Sequence, residues 1–180
     1  MEYEIRDCNE SHIKEIMEIL NEAIINTTAL YDYRPFTEEN VMLWYTHKKE
    51  KKFPLIGIFN NQHILMGFAT YGNFRERDAY KYTAEHSIYV RSDKRGKGLG
   101  KILLNEIIKQ AENQDYHVII GGIDASNKVS ILLHEKAGFV HAGTIKQAGY
   151  KFGKWLDLAF YQLILKTPLY PNETIPGSYS

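Results

Sequence analysis

The stretch Val90-Arg91-Ser92-Asp93-Lys94-Arg95-Gly96-Lys97-Gly98-Leu99-Gly100 lies between a strand-like run that ends at Val90 and an apolar helical pattern that begins near Leu99. It is therefore predicted to be a basic, glycine-rich loop that joins a strand to the N-terminus of a helix. Glycines let backbone N–H groups turn toward a ligand, and a helix N-terminus adds unpaired donors and a positive partial charge. Four basic side chains in the loop reinforce this charge, so the stretch predicts a binding site for phosphate or pyrophosphate.

Two well-known phosphate-binding loops do not match this stretch. The dinucleotide fingerprint Gly-x-Gly-x-x-Gly would place its last glycine at Lys101 or Leu103. A nucleotide P-loop would need Ser or Thr after Lys101, where the chain has Ile102. What remains is Arg-x-x-Gly-x-Gly, from Arg95 to Gly100, and it resembles the pyrophosphate loop of the GNAT acetyltransferase superfamily, which binds acetyl-CoA. For this loop taken alone, a solvated basic turn is the alternative.

The overall composition is that of a neutral, folded domain. The chain has 180 residues with 22 basic and 22 acidic side chains, so its net charge does not favour nucleic acid or an anionic membrane as a partner. No apolar stretch is long enough to span a membrane, and residues 1–9 lack the apolar core of a secretory signal. A single cysteine, Cys8, cannot form an internal disulfide, so we expect a cytoplasmic, reducing location.

The order of predicted elements indicates a mixed α/β (α+β) fold. Apolar periodicity and capping residues predict helices over 10–26, after Thr37, after Leu99, and over 126–137, with Ser126 as N-cap and Gly138 as the stop. Alternating patterns predict strands at 3–6, 54–60, 64–71, 80–90, 117–123, 139–145 and 155–165. We expect a twisted, mostly antiparallel sheet of about six to seven strands flanked by about four helices. Residues 1–166 are assigned to one domain and 167–180 to a Pro-containing polar tail.

A second motif follows the loop, with one predicted strand between them. The pattern Asn127-x-x-Ser130-x-x-x-His134-x-x-x-Gly138-Phe139 resembles the GNAT signature Asn-x-x-Ala-x-x-x-Tyr-x-x-x-Gly-Phe. Taken alone, it is also what an ordinary helix end with a glycine stop would show. The resemblance implies that Asn127 contacts the CoA and that His134, at the Tyr position, lies near the thiol.

Two further motifs narrow the resemblance to one family. They are Arg75-x-Arg77-x-Ala79-Tyr80-x-x-Thr83-x-Glu85-x-Ser87-Ile88-Tyr89-Val90 and Gly149-x-Lys151-x-Gly153-x-Trp155-x-Asp157. With His at the Tyr position, the chain resembles the phosphinothricin N-acetyltransferases, which include methionine sulfoximine and sulfone acetyltransferases, from about Ile5 to Leu165. This implies the GNAT fold, acetyl-CoA as co-substrate, a small-molecule amine as acceptor and a possible homodimer. His86 and His141 form no recognised metal spacing, so no metal is expected.

The resemblance also implies the catalytic residues. The counterpart of Glu85 in the family is the general base that takes a proton from the attacking amine, and strand alternation puts Glu85 on one face with Thr83 and Ser87. His134 is expected to act as a general acid or base at the departing thiolate. The alternatives are a surface glutamate paired with a lysine and a structural histidine. The cofactor-binding residues expected from strand, loop and helix are Ile88, Tyr89, Val90, Arg95, Gly96, Lys97, Gly98, Leu99, Gly100, Lys101 and Asn127, with an oxyanion donor among the backbone N–H groups of 88–90, near a β-bulge.

Arg75 and Arg77 are the main candidates for binding the acceptor. Guanidinium groups form forked hydrogen bonds with the oxygens of a carboxylate or a tetrahedral polar group. Tyr31 and Lys151 are further candidates, and solvated turn residues are the alternative for the two arginines. Three functions stay open: a phosphinothricin-type N-acetyltransferase, a GNAT enzyme acting on a polyamine, an antibiotic or a protein N-terminus, and a non-catalytic acetyl-CoA-binding module.

Overall fold

The computed structural model describes residues 2–173, which form seven strands and four α-helices. The strands are β1 (Glu4–Asp7), β2 (Leu55–Phe59), β3 (Leu65–Asn73), β4 (Thr83–Val90), β5 (Val118–Asp124), β6 (Val140–Lys151) and β7 (Lys154–Ile164). The helices are α1 (Ile13–Asn26), α2 (Glu38–Glu50), α3 (Leu99–Asn113) and α4 (Lys128–Lys136). One sheet has the order β1-β2-β3-β4-β5-β7-β6, and only the β4–β5 pair is parallel. The predicted mixed, mostly antiparallel sheet with about four helices is confirmed.

The core has two layers, one on each face of the sheet. Strand residues of one face pack against the apolar stripe of α3 and against α4, with Leu103 and Ile107 fully buried. Residues of the other face pack against α1 and α2, where Ile16 and Val41 are buried. Within residues 2–173, no helix is long and apolar enough to cross a membrane.

The sheet splits between its two central strands. β4 and β5 pair over only three residues, from Thr83 opposite Val118 to Glu85 opposite Ile120. Beyond Glu85, β4 stays paired with β3 as far as Val90, and β5 stays paired with β7. A wedge-shaped opening therefore separates the carboxyl-terminal halves of β4 and β5. The β3–β4 register is continuous, so this opening arises without the expected bulge in β4.

Several element boundaries differ from the predictions. The N-cap of α4 is Asn127, whose Oδ1 accepts from the Ser130 N–H at 3.1 Å, and not Ser126. β4 starts at Thr83 because residues 78–80 form a 3-10 turn. β6 continues beyond the predicted 139–145 and ends at Lys151. Gly138, with a φ of +92°, ends α4 as predicted.

Part of the predicted tail contacts residues that immediately precede β4 and β5. Thr167 Oγ1 donates to the Tyr116 carbonyl at 2.7 Å, and the Asn172 N–H donates to Tyr82 Oη at 3.0 Å. Residues 174–180 of the predicted tail lie outside the described residues. The assignment of residues 1–166 to a single domain stays a prediction.

Candidate active site

Glu85 lies at the apex of the wedge, at the last β4–β5 pair, on the face opposite to α3 and α4. A Cβ placed on Gly122 of β5 would lie 3.1 Å from Glu85 Oε1, so the carboxylate rests directly on the glycine backbone. Burial raises the pKa of Glu85, and the positive charge of Arg75 partly offsets this. A half-buried carboxylate with a raised pKa is a suitable proton acceptor near neutral pH.

Arg75 and Arg77 are both exposed in the connection between β3 and β4. The Arg75 guanidinium lies 5.1 Å from the centre of the Phe74 ring, and its charge acts on Glu85. The Arg77 side chain forms no hydrogen bond or ion pair with any described residue. The charge of Arg75 therefore acts on Glu85 without an ion pair between them, and Arg77 stands at the start of the adjacent 3-10 turn.

The loop that follows α1 packs on β6 and places Tyr31 against this strand. The Tyr31 ring lies on Gly149, where a Cβ would stand 2.8 Å from two ring carbons. Tyr31 Oη is buried and has no hydrogen-bond partner among the described residues. Burial raises its pKa, and the charges of Asp124 and Asp157 raise it further.

Lys151, predicted to bind the acceptor, is buried and already has backbone partners. Its Nζ donates to the Thr27 carbonyl at 2.9 Å and to the Leu30 carbonyl at 2.6 Å. Lys151 thus ties the loop to β6, and two of the three N–H donors of its ammonium are already engaged.

Asp124, at the end of β5, is a further candidate site residue that the sequence did not indicate. Its side chain lies on the same face as Gly122, and only 5% of the residue is exposed. Oδ1 accepts from the Ser126 N–H at 2.9 Å, whereas Oδ2 is buried with no partner in the part of the chain that the structure describes. Burial alone would raise the pKa of Asp124, but the nearby polar groups of Thr28 and Ser126 hold this pKa below its ordinary value. A cavity of about 720 Å³ borders this carboxylate.

His134 reaches the sheet from the other face, where α4 packs. Its Nδ1 is 2.7 Å from the Ser130 carbonyl, and its Nε2 is 3.1 Å from Nε2 of His86 on β4. The two rings are stacked, with their centres 5.0 Å apart. Burial lowers the pKa of both histidines. A Cβ on Gly121 would lie 3.0 Å from His86 Nε2 and 3.1 Å from His134 Nε2.

The last residues of β4 form one wall of the wedge. Ile88 and Val90 pack toward α3 and α4. Tyr89 faces the other side with Glu85 and Ser87, and burial raises the pKa of Tyr89 to about 12. Because β5 does not pair with this part of β4, the free edge of β4 can hydrogen-bond to a ligand in the wedge.

The glycine-rich loop provides backbone donors at the wide end of the wedge. Gly96 and Gly98 have φ values of +74° and +80°, a region that favours glycine. Gly98 is the N-cap of α3, without a side-chain cap. Within residues 2–173, the N–H groups of 96–100 have no protein acceptor. These five consecutive donors and the positive end of α3 suit a pyrophosphate.

The predicted cofactor-binding side chains are mostly turned toward the protein. Arg95 Nε donates to the Val90 carbonyl at 3.1 Å, and its guanidinium pairs with Glu22 of α1. Lys97 Nζ is 3.4 Å from the Asp93 carbonyl. Lys101 is exposed, and the side-chain oxygen of Asn127 caps α4. The backbone of the loop, with Leu99 and Gly100 at the start of α3, is therefore the main candidate for binding an anion. Among the described residues, no group of three or more His, Cys, Asp or Glu could hold a metal ion.

Comparisons with known proteins give consistent matches. The model of the Acetyltransferase (GNAT) family matches residues 13–139. The L-methionine sulfoximine/L-methionine sulfone acetyltransferase of Pseudomonas aeruginosa is 39% identical over 165 residues, which cover 92% of this chain and 96% of that protein. A crystal structure of an N-acetyltransferase from Staphylococcus aureus has a TM-score of 0.89 at 45% identity, over 91% of this chain and 99% of that one. A GNAT superfamily phosphinothricin acetyltransferase from Sinorhizobium meliloti, in complex with AcCoA, has a TM-score of 0.92 at 31% identity, over 98% and 96% of the two chains.

Proposed function

This chain belongs to the acetyltransferase (GNAT) family and is an acetyl-CoA-dependent N-acetyltransferase, and we propose that its acceptor is the α-amine of a small amino acid analogue. The analogue would be of the phosphinothricin or methionine sulfoximine and sulfone type, which are the substrates named for two of the similar proteins. The observation that carries this proposal is that Arg75 lies close enough to Glu85 for its charge to lower the pKa of the carboxylate. Since an α-amino acid has its amine and carboxylate on one carbon, a base beside a guanidinium can receive both groups.

The co-substrate fits the residues of the loop and the wedge. The five backbone donors of 96–100 suit its pyrophosphate. A Cβ on Gly96 or Gly98 would meet nothing within 4 Å, so the space above the loop is open to a ligand. We place the thioester in the wedge, between the free edge of β4 and Gly121-Gly122 of β5.

Each step of the proposed reaction has a candidate group. Glu85 takes a proton from the acceptor ammonium, directly or through a water molecule, and the resulting amine attacks the thioester carbonyl carbon. Backbone N–H groups of 88–90 donate to the developing oxyanion. As the carbon–sulfur bond breaks, the thiolate departs and is protonated, and His134 is the acid/base candidate for that proton. Cys8 is no nucleophile, because burial raises the pKa of its thiol to about 12.

One observation favours a second candidate acceptor. Asp124 presents an unpaired, buried carboxylate oxygen on the face that carries Glu85, and Asp157 lines the same cavity. A second ammonium, as in a polyamine or an aminoglycoside, would satisfy that oxygen. The exposed Arg75 and Arg77 oppose such polycationic acceptors by charge repulsion.

We also propose that the chain forms a homodimer through the β6–β7 hairpin. Six large apolar side chains of this hairpin are exposed in the single chain: Val140, Ile145, Tyr150, Phe152, Trp155 and Ile164. Clustered apolar surface of this kind marks protein contact sites. The cytoplasmic location expected from cysteine usage remains a prediction.

The acceptor is tested by thiol release from acetyl-CoA with a panel of amines. The panel holds phosphinothricin, methionine sulfoximine, methionine sulfone, the standard amino acids, spermidine and an aminoglycoside. Turnover confined to the amino acid analogues supports the proposal. Turnover of only spermidine or the aminoglycoside overturns it in favour of the second candidate, and acetyl-CoA binding without any turnover removes this panel's amines as acceptors.

A further inference from the structure

His86 and His134 contact each other inside the protein, but only His134 has a place in the proposed reaction. Both residues are almost fully buried, at 6% and 4% exposure. The groups packed against the pair are uncharged: the Ser130 carbonyl of α4, the Gly121 backbone of β5 and the edge of the Phe139 ring. No carboxylate or ammonium within the described residues forms a hydrogen bond with either imidazole.

The hydrogen-bond partners determine which nitrogens carry protons. A carbonyl oxygen only accepts, so the 2.7 Å contact with Ser130 requires a proton on His134 Nδ1. In neutral His134, Nε2 then holds a lone pair, and the 3.1 Å contact requires that His86 Nε2 donates. His86 Nδ1 is consequently an unprotonated acceptor, and it is the buried atom of this pair that lacks a partner.

The reverse arrangement is much less favourable. If His134 donated from Nε2, it would carry protons on both nitrogens and bury a positive charge without a counter-ion. His86 would then have to accept at Nε2 and carry its proton on Nδ1, which would leave a buried N–H donor unpaired. An unpaired acceptor is the less costly of the two defects, and burial disfavours the charged form of both rings.

We propose that His86 is a positioning residue for the acetyl transfer, which donates from Nε2 to Nε2 of His134 and thereby holds His134 as its Nδ1–H tautomer beside Gly121. This role of His86 rests on the proposed function, because only that function gives His134 a part in the reaction. In this state the single lone pair of His134 Nε2 accepts from His86, and His134 has no N–H toward β5. The pair must gain a proton, and its hydrogen bond must open, before His134 can give a proton to the thiolate, so His86 fixes the resting orientation and protonation of His134.

The tautomers are tested directly by NMR of the full chain with ¹⁵N-labelled histidine at neutral pH. The expected spectrum shows a protonated Nδ1 and an unprotonated Nε2 for His134, and a protonated Nε2 for His86. A protonated Nε2 on His134 overturns the proposal. Since this readout does not depend on turnover, it separates a failure of this assignment from a failure of the proposed acceptor.

Two substitutions of His86 then separate positioning from packing. His86→Leu removes the donor, and His86→Gln retains an N–H at a similar reach. We expect about a tenfold lower kcat for His86→Leu, equivalent to about 1.4 kcal/mol, with an unchanged KM for acetyl-CoA and substantial recovery in His86→Gln. Phe139→Leu disturbs the packing of the same rings without removing a donor. Equal losses of kcat in His86→Leu and His86→Gln, or an equal loss in Phe139→Leu, would show that the pair is only structural.

Discussion

Glu85 and His134 approach the centre of the sheet from opposite faces, and consecutive glycines of β5 separate them. A Cβ at Gly122 would lie 3.1 Å from the Glu85 carboxylate, and one at Gly121 would lie 3.0 Å from His86 and 3.1 Å from His134, so these side chains would have to shift. The absence of a Cβ at both positions therefore leaves room for the two acid/base candidates beside the wedge. The backbone of Gly121 and Gly122 thus separates the proposed base, Glu85, from the proposed acid/base residue, His134.

The first prediction concerns Glu85 as the base. Glu85→Gln keeps the size of the side chain but cannot accept a proton, so kcat is expected to fall by about 100-fold to 10,000-fold. The affinity for acetyl-CoA, measured by calorimetry, should stay unchanged, since the donors of 96–100 are not touched. Glu76→Gln is the matched control, because Glu76 is an exposed carboxylate of the preceding connection. Full turnover in Glu85→Gln would remove the base assignment.

The second prediction concerns the pH dependence that Arg75 imposes on Glu85. The ionised carboxylate is the active form of a base, so kcat/KM should fall as the pH drops through the pKa of Glu85. The charge of Arg75 lowers this pKa; its removal in Arg75→Gln should therefore raise the pKa and move the acid limb of the kcat/KM profile to higher pH. Arg77→Gln should leave the limb in place. A limb that is identical in wild type and Arg75→Gln contradicts an effect of the Arg75 charge on Glu85.

For individual residues, the sequence predicted which side chains could act chemically better than it predicted which residues they contact. Alternation correctly placed Glu85 and His86 on opposite faces of β4, but a spacing of 48 residues gave no sign that His86 would meet His134. Asp124 was missed because a carboxylate at the end of an apolar strand resembles an ordinary turn residue. Lys151 was assigned to the acceptor, and only the fold shows that two backbone carbonyls already bind its ammonium.

The third prediction concerns the glycine-rich loop as an element. Gly98 and Gly153 both have positive φ values, +80° and +74°, and a Cβ on either would meet nothing within 4 Å. Each change to Ala should therefore cost a similar free energy of unfolding, about 1 to 2 kcal/mol, from the left-handed backbone alone. Only Gly98→Ala should also raise the KM for acetyl-CoA, because only Gly98 belongs to the row of free donors. Equal KM values in both variants would exclude the loop from cofactor binding.

The fourth prediction concerns the loop after α1. Lys151→Met removes the two hydrogen bonds that tie this loop to β6, and hydrogen bonds of charged groups contribute about 1.5 to 3 kcal/mol each. We expect a lower free energy of unfolding and a higher KM for the acceptor, with an unchanged KM for acetyl-CoA. Lys166→Met, at an exposed lysine, should change none of these. A raised acceptor KM without any loss of stability would instead indicate that Lys151 binds the acceptor directly.

The sequence predicted the existence of the elements more accurately than their ends. Ser126 and Asn127 are equally good N-caps in sequence, and Asp124 decides between them by accepting the Ser126 N–H. β6 was predicted to end near Ile145 because two register shifts break its alternation, between His141 and Gly143 and between Ile145 and Gly149. The wedge itself leaves no periodic signal, since β4 keeps its alternation whether or not β5 continues beside it.

At the scale of the whole molecule, the split sheet explains how one domain can receive two substrates. β4 belongs to the half of the sheet that α1 and α2 cover, whereas β5 belongs to the half formed with β6 and β7. The halves join over three residue pairs only, so the opening between them gives access to both faces. The co-substrate can then enter beside α3 and α4 while the acceptor enters on the face of Glu85.

The last prediction concerns the assembly of whole chains. Trp155 is 61% exposed and Phe152 is 55% exposed in the single chain, so Trp155→Asp should cost an isolated chain little stability. If the hairpin forms the dimer interface, that change buries a carboxylate against apolar surface and should convert a dimer into a monomer. Sedimentation at micromolar concentration measures this directly. Leu169→Asp is the control, because Leu169 is 77% exposed and lies outside the hairpin. A wild-type monomer, or dissociation by both variants alike, would exclude this interface.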